Sequence, residues 1–153
     1  MNFVHYPSSV TEVVAVEPEP YLREKAHGRA SGRIRVVDGD AEHLPVEDAS
    51  ADVVVFSLVL CSVPSPAAAL AEARRVLKPG GTVLFYEHVV SHKRGKAAFQ
   101  RAFTNTVWKR ISGGCHMDRD TGTTIAAAGF EIETLDRVPF QGLAHILGVA
   151  RRT

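Results

Sequence analysis

Residues 51–58 read Ala-Asp-Val-Val-Val-Phe-Ser-Leu, a nearly continuous apolar run rich in β-branched side chains. Such a run predicts a strand that is covered on both faces, as in a parallel sheet. Ser-Pro at 65–66 then offers a helix N-cap and a first-turn proline, and residues 67–77 are acceptable helix formers. Pro-Gly-Gly at 79–81 ends that helix before a second apolar run at 82–86. Together they predict a right-handed parallel crossover, and α/β folds place ligands at the ends of such strands.

The rest of the chain continues the alternation of strand and helix. We predict strands at residues 12–16, 33–38, 51–60, 82–86, 130–138 and 145–151, and helices at 20–26, 67–77, 99–111 and 118–128. The last two strands are expected to form an antiparallel pair at the sheet edge. The pattern predicts one α/β domain over residues 1–153 with an open, mostly parallel sheet.

The composition is that of an ordinary globular protein. The chain has 153 residues, 45% hydrophobic and 23% charged, and a net charge of +1, which gives no general argument for nucleic-acid binding. Cys61 and Cys115 lack metal-ligand spacing and do not resemble a disulfide framework, so we expect no metal site and a reduced, cytoplasmic setting. Residues 53–63 are too short an apolar run to cross a bilayer, and the N-terminus does not resemble a signal peptide.

Polar residues follow three of the predicted strands. Glu17 ends the first strand, where a carboxylate can accept hydrogen bonds from a ribose, or where it is simply a solvated acid in a turn. Asp40 follows Gly39 after the second, where it could accept from an adenine amine or form a turn. Ser57 and Leu58 stand where the third strand leaves the sheet, over the expected cleft, although they could also serve only in strand packing.

Histidine and cysteine side chains lie near the later strand ends. Glu87 and His88 end the strand after the glycine turn, and His88 could act as a general base or be a loop histidine. Cys61 has an apolar setting typical of a small buried residue rather than a reactive thiol. Cys115 and His116 follow two glycines and are predicted to be a more exposed pair that faces the substrate.

Residues 92–110 form a basic segment interleaved with aromatic side chains. Three interpretations stay open: a lid helix over the substrate, a membrane-surface helix, or a solvated helix packed by its apolar face. The basic residues are Lys93, Arg94, Lys96, Arg101, Lys109 and Arg110, and the aromatic ones are Phe99, Phe103 and Trp108.

Four motifs occur in a specific order and spacing. They are Val-Val-Ala-Val-Glu-Pro at 13–18, Gly-Asp-Ala-Glu-His-Leu-Pro at 39–45, Asp-Val-Val-Val-Phe-Ser at 52–57, and Arg-Val-Leu-Lys-Pro-Gly-Gly at 75–81. Together they resemble the motifs of class I S-adenosylmethionine-dependent methyltransferases, whose fold is Rossmann-like. Residues 58–63, 86–89 and 114–116 look closer still to a methyltransferase-like subgroup that includes alkyl thiol methyltransferases. Ubiquinone and menaquinone biosynthesis methyltransferases are a more distant likeness.

The resemblance implies a cofactor, S-adenosyl-L-methionine, and roles for the matching residues. Glu17, with Pro18 beside it, would hold the ribose. Asp40 and Ala41 would hold the adenine, and Ser57 and Leu58 the methionine part. His88 is the first candidate for a general base and His116 the second.

The chain departs from the family pattern at its beginning. The family sheet has the strand order 3-2-1-4-5-7-6, and its first strand and Gly-x-Gly-x-Gly loop should precede Met1. We therefore expect an N-terminally truncated sheet, with Met1 internal to a longer reading frame. Otherwise the predicted strands at 12–16 and 51–60, which are the second and fourth of the family sheet, would pair directly, or a second copy of the chain would fill the gap. Cofactor binding would then be weak or absent.

The function predicted from the resemblance is methyl transfer from S-adenosylmethionine to a small, apolar molecule. One alternative is a non-catalytic remnant that acts as an interaction or regulatory module. Another is a nicotinamide-dependent Rossmann oxidoreductase, which Asp40 and the C-terminal strand pair disfavour. A homodimer and a peripheral membrane contact through residues 97–111 stay open, and no nucleic-acid partner is expected.

Overall fold

The computed structural model describes residues 3–91, 94–104, 114–140 and 142–153. After a 3-10 turn at Phe3–His5, the strands are β1 Val13–Val16, β2 Ile34–Val37, β3 Ala51–Ser57, β4 Leu77–His88, β5 Phe130–Phe140 and β6 Leu143–Arg152. The helices are α1 Pro20–His27, α2 Pro66–Val76, α3 Arg94–Phe103 and α4 Thr121–Ala127.

The strands form two sheets. In the first, β1 pairs in parallel with β2. In the second, of order β3-β4-β6-β5, β3 and β4 are parallel, while β6 is antiparallel to both β4 and β5. This confirms the predicted α/β class and the antiparallel C-terminal pair. Because β1 and β3 belong to different sheets, the alternative in which these two strands pair directly is not found among the described residues.

Local signals in the sequence explain where the two N-terminal helices begin. The carboxylate of Glu19 accepts hydrogen bonds from two backbone N–H groups of α1, and Pro20 is the first helical residue. In α2, the Ser65 hydroxyl accepts from the N–H of Ala68 at 3.2 Å, and Pro66 follows it. The predicted Ser-Pro start of α2 is therefore confirmed.

Some predicted boundaries were wrong for reasons of tertiary structure. β3 ends at Ser57 rather than at residue 60, because Leu58 takes a positive φ of 59° and leaves the strand. β4 begins at Leu77, earlier than predicted, because Leu77 already pairs with Ala51 of β3. α4 begins later than predicted, after Asp120, whose carboxylate caps it.

The predicted amphipathic helix at residues 99–111 is only partly within the described part of the chain. α3 begins at Arg94, five residues earlier than predicted, and ends at Phe103. Trp108 and the basic pair at 109–110, which belong to this predicted helix, lie outside the described residues. No helix in the described ranges combines the length and the apolar character that a membrane crossing requires.

The core lies between the larger sheet and the helices α2 and α4. From α2, the buried side chains are Ala69, Leu70, Ala73 and Val76. The first three form one cluster with residues of the sheet, of the loop after β3 and of α4, including Phe56, Leu60, Val83, Phe85, Ile125 and Ile146. Burial of a large aliphatic or aromatic side chain contributes roughly 1.5–3 kcal/mol, so this cluster is the main stabilising element.

An irregular segment, residues 40–48, lies between β2 and β3 in the chain and is hydrogen-bonded to α2. Arg75 donates to the carbonyl oxygens of Leu44 at 2.9 Å and Val46 at 2.8 Å, and pairs with Asp48 at 2.6 Å. Glu72 accepts from the Leu44 N–H at 2.8 Å and bonds Arg75, which lowers the pKa of Glu72 to about 2. We call this set of contacts the Arg75 tether.

Gly148 provides a test of the packing of the larger sheet. A Cβ atom there would overlap the carbonyl oxygen of Thr134 and lie 2.6 Å from a ring carbon of Phe85. We expect Gly148→Ala to lower the free energy of unfolding by about 1–3 kcal/mol, the usual cost of overpacking, measured by urea denaturation. Gly95→Ala is the control, because Gly95 has open space around it in α3 and alanine favours a helix. Equal stability of the Gly148→Ala variant and the wild type would contradict this packing.

Candidate functional site

The predicted polar residues lie at the carboxyl ends of parallel strands. Glu17 directly follows β1, Asp40 lies three residues after β2, Ser57 ends β3, and His88 ends β4. Parallel strands bring their carboxyl ends to one edge of a sheet, which is where open α/β sheets place ligands. The arrangement therefore presents carboxylate, hydroxyl and imidazole groups along the strand ends.

Glu17 is partly buried and is held by backbone contacts. Its N–H donates to the carbonyl of Val37 at 3.1 Å, which extends the pairing of the smaller sheet by one residue. Its carboxylate accepts from the N–H of Glu19 at 3.0 Å. Arg23 donates to the carbonyls of Glu17 and Pro18 and pairs with Asp38 at 2.7 Å, which fixes the turn that carries Glu17.

Asp40 is exposed and forms a local turn. Its Oδ1 accepts from the Glu42 N–H at 2.7 Å and lies 3.3 Å from Nδ1 of His43, as in an Asx-turn. The turn-forming role that the sequence left open is thus present. Ala41 packs against the core, so the turn is anchored to the larger sheet as well.

Gly39 brings the segment of Asp40 against β1. Its φ is +148°, and a Cβ atom there would lie 3.0 Å from Pro45 and 3.2 Å from a methyl carbon of Val16. Glycine therefore allows the loop at 39–45 to approach the end of β1 closely. This places the turns of Glu17 and Asp40 beside each other.

Ser57 and Leu58 are both exposed at the end of β3. The positive φ of Leu58, 59°, costs a residue with a Cβ roughly 1–2 kcal/mol. The conformation is held by a hydrogen bond from the Leu58 N–H to the carbonyl of Tyr86 at 2.8 Å. Strained residues of this kind cluster at binding sites, which agrees with a place over the cleft.

Glu87 is fully buried and organises the loop after β3. Its Oε1 accepts from the N–H groups of Val59 at 2.9 Å and Leu60 at 3.0 Å, and its Oε2 from that of Cys61 at 2.9 Å. Burial, and next the neighbouring Cys61, raise the pKa of Glu87 to about 8, while the three N–H donors oppose the rise. In the sequence Glu87 is only an ionisable residue at the end of a predicted strand, whereas in the structure its carboxyl group is bonded to backbone N–H groups.

Arg119 holds the carbonyl groups of the same loop. Its guanidinium donates to the oxygens of Leu60 at 2.7 Å and Val63 at 2.8 Å. The loop is therefore bonded through its N–H groups to β4 and through its oxygens to the segment before α4. Sequence reasoning missed Arg119, because no local pattern distinguishes it from a surface arginine.

His88 faces two sulfur atoms. Its Nδ1 lies 3.3 Å from Sγ of Cys115 and 3.8 Å from Sγ of Cys61. Its ring centroid is 4.3 Å from that of His145, which stacks on Tyr86 at 5.0 Å. Burial and then the proximity of His88 lower the pKa of His145. His88 is thus a half-buried residue of a packed group and not a loop histidine.

The two cysteines are buried. Cys61 is fully buried, as its apolar setting predicted, and its hydrogen bond with Cys115 followed by burial raises its pKa to about 12. A thiol with that pKa is a poor nucleophile at neutral pH. The prediction that Cys115 is exposed was wrong, because it packs beneath the surface against His88 with 4% of its area exposed.

His116 contacts this group through its backbone. Its N–H donates to the carbonyl of Cys61 at 2.6 Å, and its Nδ1 lies 3.8 Å from a carboxylate oxygen of Asp118. The side chain is partly buried. The structure thus brings both predicted base candidates close to Cys61, one through its ring and one through its backbone.

The described part of the basic helix contacts the same region. In α3, Ala97 and Gln100 are buried, and the Gln100 amide oxygen accepts from the N–H of Ser91 at 2.7 Å. The Gln100 amide nitrogen lies 3.4 Å from the carbonyl of Met117. One face of α3 therefore packs on the protein, and the lid and membrane-surface interpretations stay predictions.

Comparison with known proteins gives matches over most of the chain. A family described as a methyltransferase domain matches residues 2–85. The thiol S-methyltransferase TMT1B of Rattus norvegicus is 37% identical over 160 aligned residues, which cover 97% of this chain and 65% of the relative. The human TMT1B is 38% identical, over 90% of this chain and 59% of the relative. The chain thus spans less than two thirds of the length of these relatives.

A solved structure shows the same fold. The S-adenosylmethionine-dependent methyltransferase from Mesorhizobium loti superposes with a TM-score of 0.72 at 16% identity, over 94% of this chain and 81% of that one. This similarity confirms the Rossmann-like architecture that the family resemblance implied.

Glu87 gives the structure a testable dependence on pH. Its pKa is about 8 in the folded protein, against an ordinary value of 4.5, so its contribution to stability is complete below pH 4.5 and is lost as the pH rises through 8. We expect the free energy of unfolding to fall from pH 6 to pH 9 by a few kcal/mol at most, at about 1.4 kcal/mol per pKa unit. Urea denaturation across this range measures it.

Glu87→Gln removes the titrating group and is expected to flatten this fall. Glu24→Gln on the exposed face of α1 is the matched control and should keep the wild-type slope. The same pH slope in Glu87→Gln and the wild type would show that Glu87 titrates normally in the folded protein.

Proposed function

Because the chain belongs to the methyltransferase domain family, we propose that it carries the cofactor site of an enzyme that methylates a small, apolar thiol on sulfur. Membership confirms the resemblance predicted from the four sequence motifs, and S-adenosyl-L-methionine is the cofactor class of this family. The observation that carries the proposal is the 37% identity to a thiol S-methyltransferase along 97% of the chain.

We assign the cofactor to the carboxyl ends of the strands. Glu17, beside Pro18, accepts hydrogen bonds from the ribose, and Asp40 with Ala41 receives the adenine. Support comes from the close approach of their two turns at Gly39 and from the exposure of Asp40. Ser57 and Leu58 contact the methionine part, a role supported by their exposure and by the strained backbone of Leu58.

Catalysis rests chiefly on proximity. Holding the acceptor sulfur in line with the methyl group supplies much of the rate enhancement in a direct transfer. The thiolate is the nucleophilic form of a thiol, so a base that removes the proton increases the rate. His88 is the proposed base, supported by its place at the end of β4, and His116 is the second candidate.

Two further proposals concern the setting of the protein. A cytoplasmic location is supported by the low cysteine content, two in 153 residues. A homodimer or a peripheral membrane contact through residues 97–111 would use the amphipathic pattern of that segment.

Cofactor binding can be tested with S-adenosylhomocysteine by titration calorimetry. We expect Glu17→Gln and Asp40→Asn each to weaken binding about tenfold or more, since a hydrogen bond to a charged group contributes roughly 1.5–3 kcal/mol. The controls are Glu12→Gln and Asp52→Asn, which remove exposed carboxylates at the opposite ends of β1 and β3. No heat from the wild type at millimolar ligand would favour a non-catalytic remnant, and binding of NADH instead would favour an oxidoreductase.

Methyl transfer itself can be tested with benzyl mercaptan and benzyl alcohol as a matched pair. We expect mass spectrometry to detect the methyl thioether from the thiol and no ether from the alcohol. Equal methylation of both, or of the alcohol alone, would contradict a thiol acceptor.

A further inference from the structure

Cys61, His88 and Cys115 meet from three separate parts of the chain. Cys61 lies in the loop after β3, His88 ends β4, and Cys115 precedes α4. One ligand atom from each lies within 4.8 Å of the other two. The three side chains therefore converge on one point near the carboxyl ends of β3 and β4.

The spacing of these atoms suits a zinc ion. Zinc binds sulfur at about 2.3 Å and nitrogen at about 2.0–2.1 Å, so tetrahedral ligands lie roughly 3.6–3.8 Å from one another. The distances from His88 Nδ1 to the sulfurs of Cys115 and Cys61 are 3.3 Å and 3.8 Å. Shifts of a few tenths of an ångström would bring these two nitrogen–sulfur distances to the tetrahedral values.

The ligand residues are held by contacts that a metal site needs. The backbone of Cys61 is fixed on both sides, by the bond from its N–H to Glu87 and by the bond to its carbonyl from the N–H of His116. The ring of His88 packs on that of His145. Such supporting contacts keep ligands oriented and strengthen metal binding.

Two thiolates and one imidazole form a donor set that zinc uses in catalytic sites with an open fourth position. Ser62 and Gly114, the neighbours of the two cysteines, are partly exposed, as is His88. The group thus lies just beneath the surface, within reach of a small molecule. Leu58, which we assign to the methionine part of the cofactor, is three residues before Cys61.

We propose that Cys61, His88 and Cys115 bind a zinc ion whose fourth position takes the sulfur of the methyl acceptor. The second half of this statement rests on the proposed thiol methylation. His88 is then a zinc ligand through Nδ1 and no longer the general base. Coordination to zinc replaces the base, because it lowers the pKa of the acceptor thiol.

The chemistry balances without any redox step. The acceptor thiol binds as a thiolate and releases its proton to solvent. A lone pair of the thiolate sulfur then forms a bond to the methyl carbon. The bond from that carbon to the cofactor's sulfonium breaks, and its electron pair remains on the cofactor sulfur. The products are a methyl thioether and S-adenosylhomocysteine.

Metal binding is tested on the whole 153-residue chain, first stripped by a chelator under a thiol-free reductant. Zinc chloride is titrated against a chromophoric chelator, and cobalt(II) is titrated as a spectroscopic substitute. We expect one equivalent of metal per chain and a thiolate-to-cobalt charge-transfer absorption. Cys61→Ser, Cys115→Ser and His88→Asn should each weaken zinc binding at least tenfold, whereas His27→Ala on the exposed end of α1 should not. Equal affinity in all variants would overturn the site.

A measurement on the wild type keeps the test decisive if a variant fails to fold. Zinc X-ray absorption should show two sulfur ligands at about 2.3 Å and one nitrogen at about 2.0–2.1 Å. A shell of oxygen and nitrogen alone, or no zinc retained after gel filtration, would overturn the proposal.

The fourth position is tested separately with 2-mercaptoethanol and ethylene glycol added to the cobalt-loaded chain. We expect the thiol to change the cobalt spectrum and the diol to leave it unchanged. A bound metal that does not respond to the thiol overturns the acceptor role and leaves the metal site standing. A thiol response without methyl transfer would instead count against the proposed function.

Discussion

The buried carboxylate of Glu87 is the contact on which the candidate site depends. Burial disfavours the charged form of this carboxyl group and raises its pKa, and the three N–H groups of residues 59–61 oppose that rise by donating to its oxygens. In return, they fix the path of the chain immediately after β3. Cys61 therefore takes its position from a residue 26 places later in the sequence, and Leu58 is held by the adjacent Tyr86 of the same strand. The neighbouring His88 is placed by the same strand, so both sides of the sulfur-lined group share one support.

The antiparallel pairing of β6 extends this support across the sheet. His145 of β6 lies opposite His88 in register and contacts its ring. Gly148, three residues later, lets Phe85 approach the backbone of β6. The C-terminal strands thus do more than extend the sheet, because β6 supplies the side chain of His145 that packs against the imidazole of His88.

The sequence predicted those features that depend on near neighbours. A Ser-Pro pair starts α2, β-branched residues form β3, and the spacing of Glu17 and Asp40 after apolar runs places them at strand ends. It could not predict the turn at Leu58, since a positive φ at leucine is imposed by a hydrogen bond to the distant Tyr86. The meeting of Cys61 with Cys115 was likewise hidden. Two cysteines 54 positions apart carry no spacing signal, and only the fold adds a histidine between them.

The two halves of the proposed cofactor site are held by different forces. The half at Leu58 is held by Glu87, which is fully buried. The half at Asp40 is joined to α2 by the Arg75 tether, whose side chains are more exposed, 33% for Arg75 and 77% for Asp48. Salt screens exposed charges and leaves buried ones largely unaffected. Raising the ionic strength therefore weakens the contacts that hold the half at Asp40 more than those that hold the half at Leu58. A fragment such as adenosine, which occupies only the half at Asp40, is exposed to that change in full, whereas the methionine part of the cofactor meets a half that salt leaves largely unaltered.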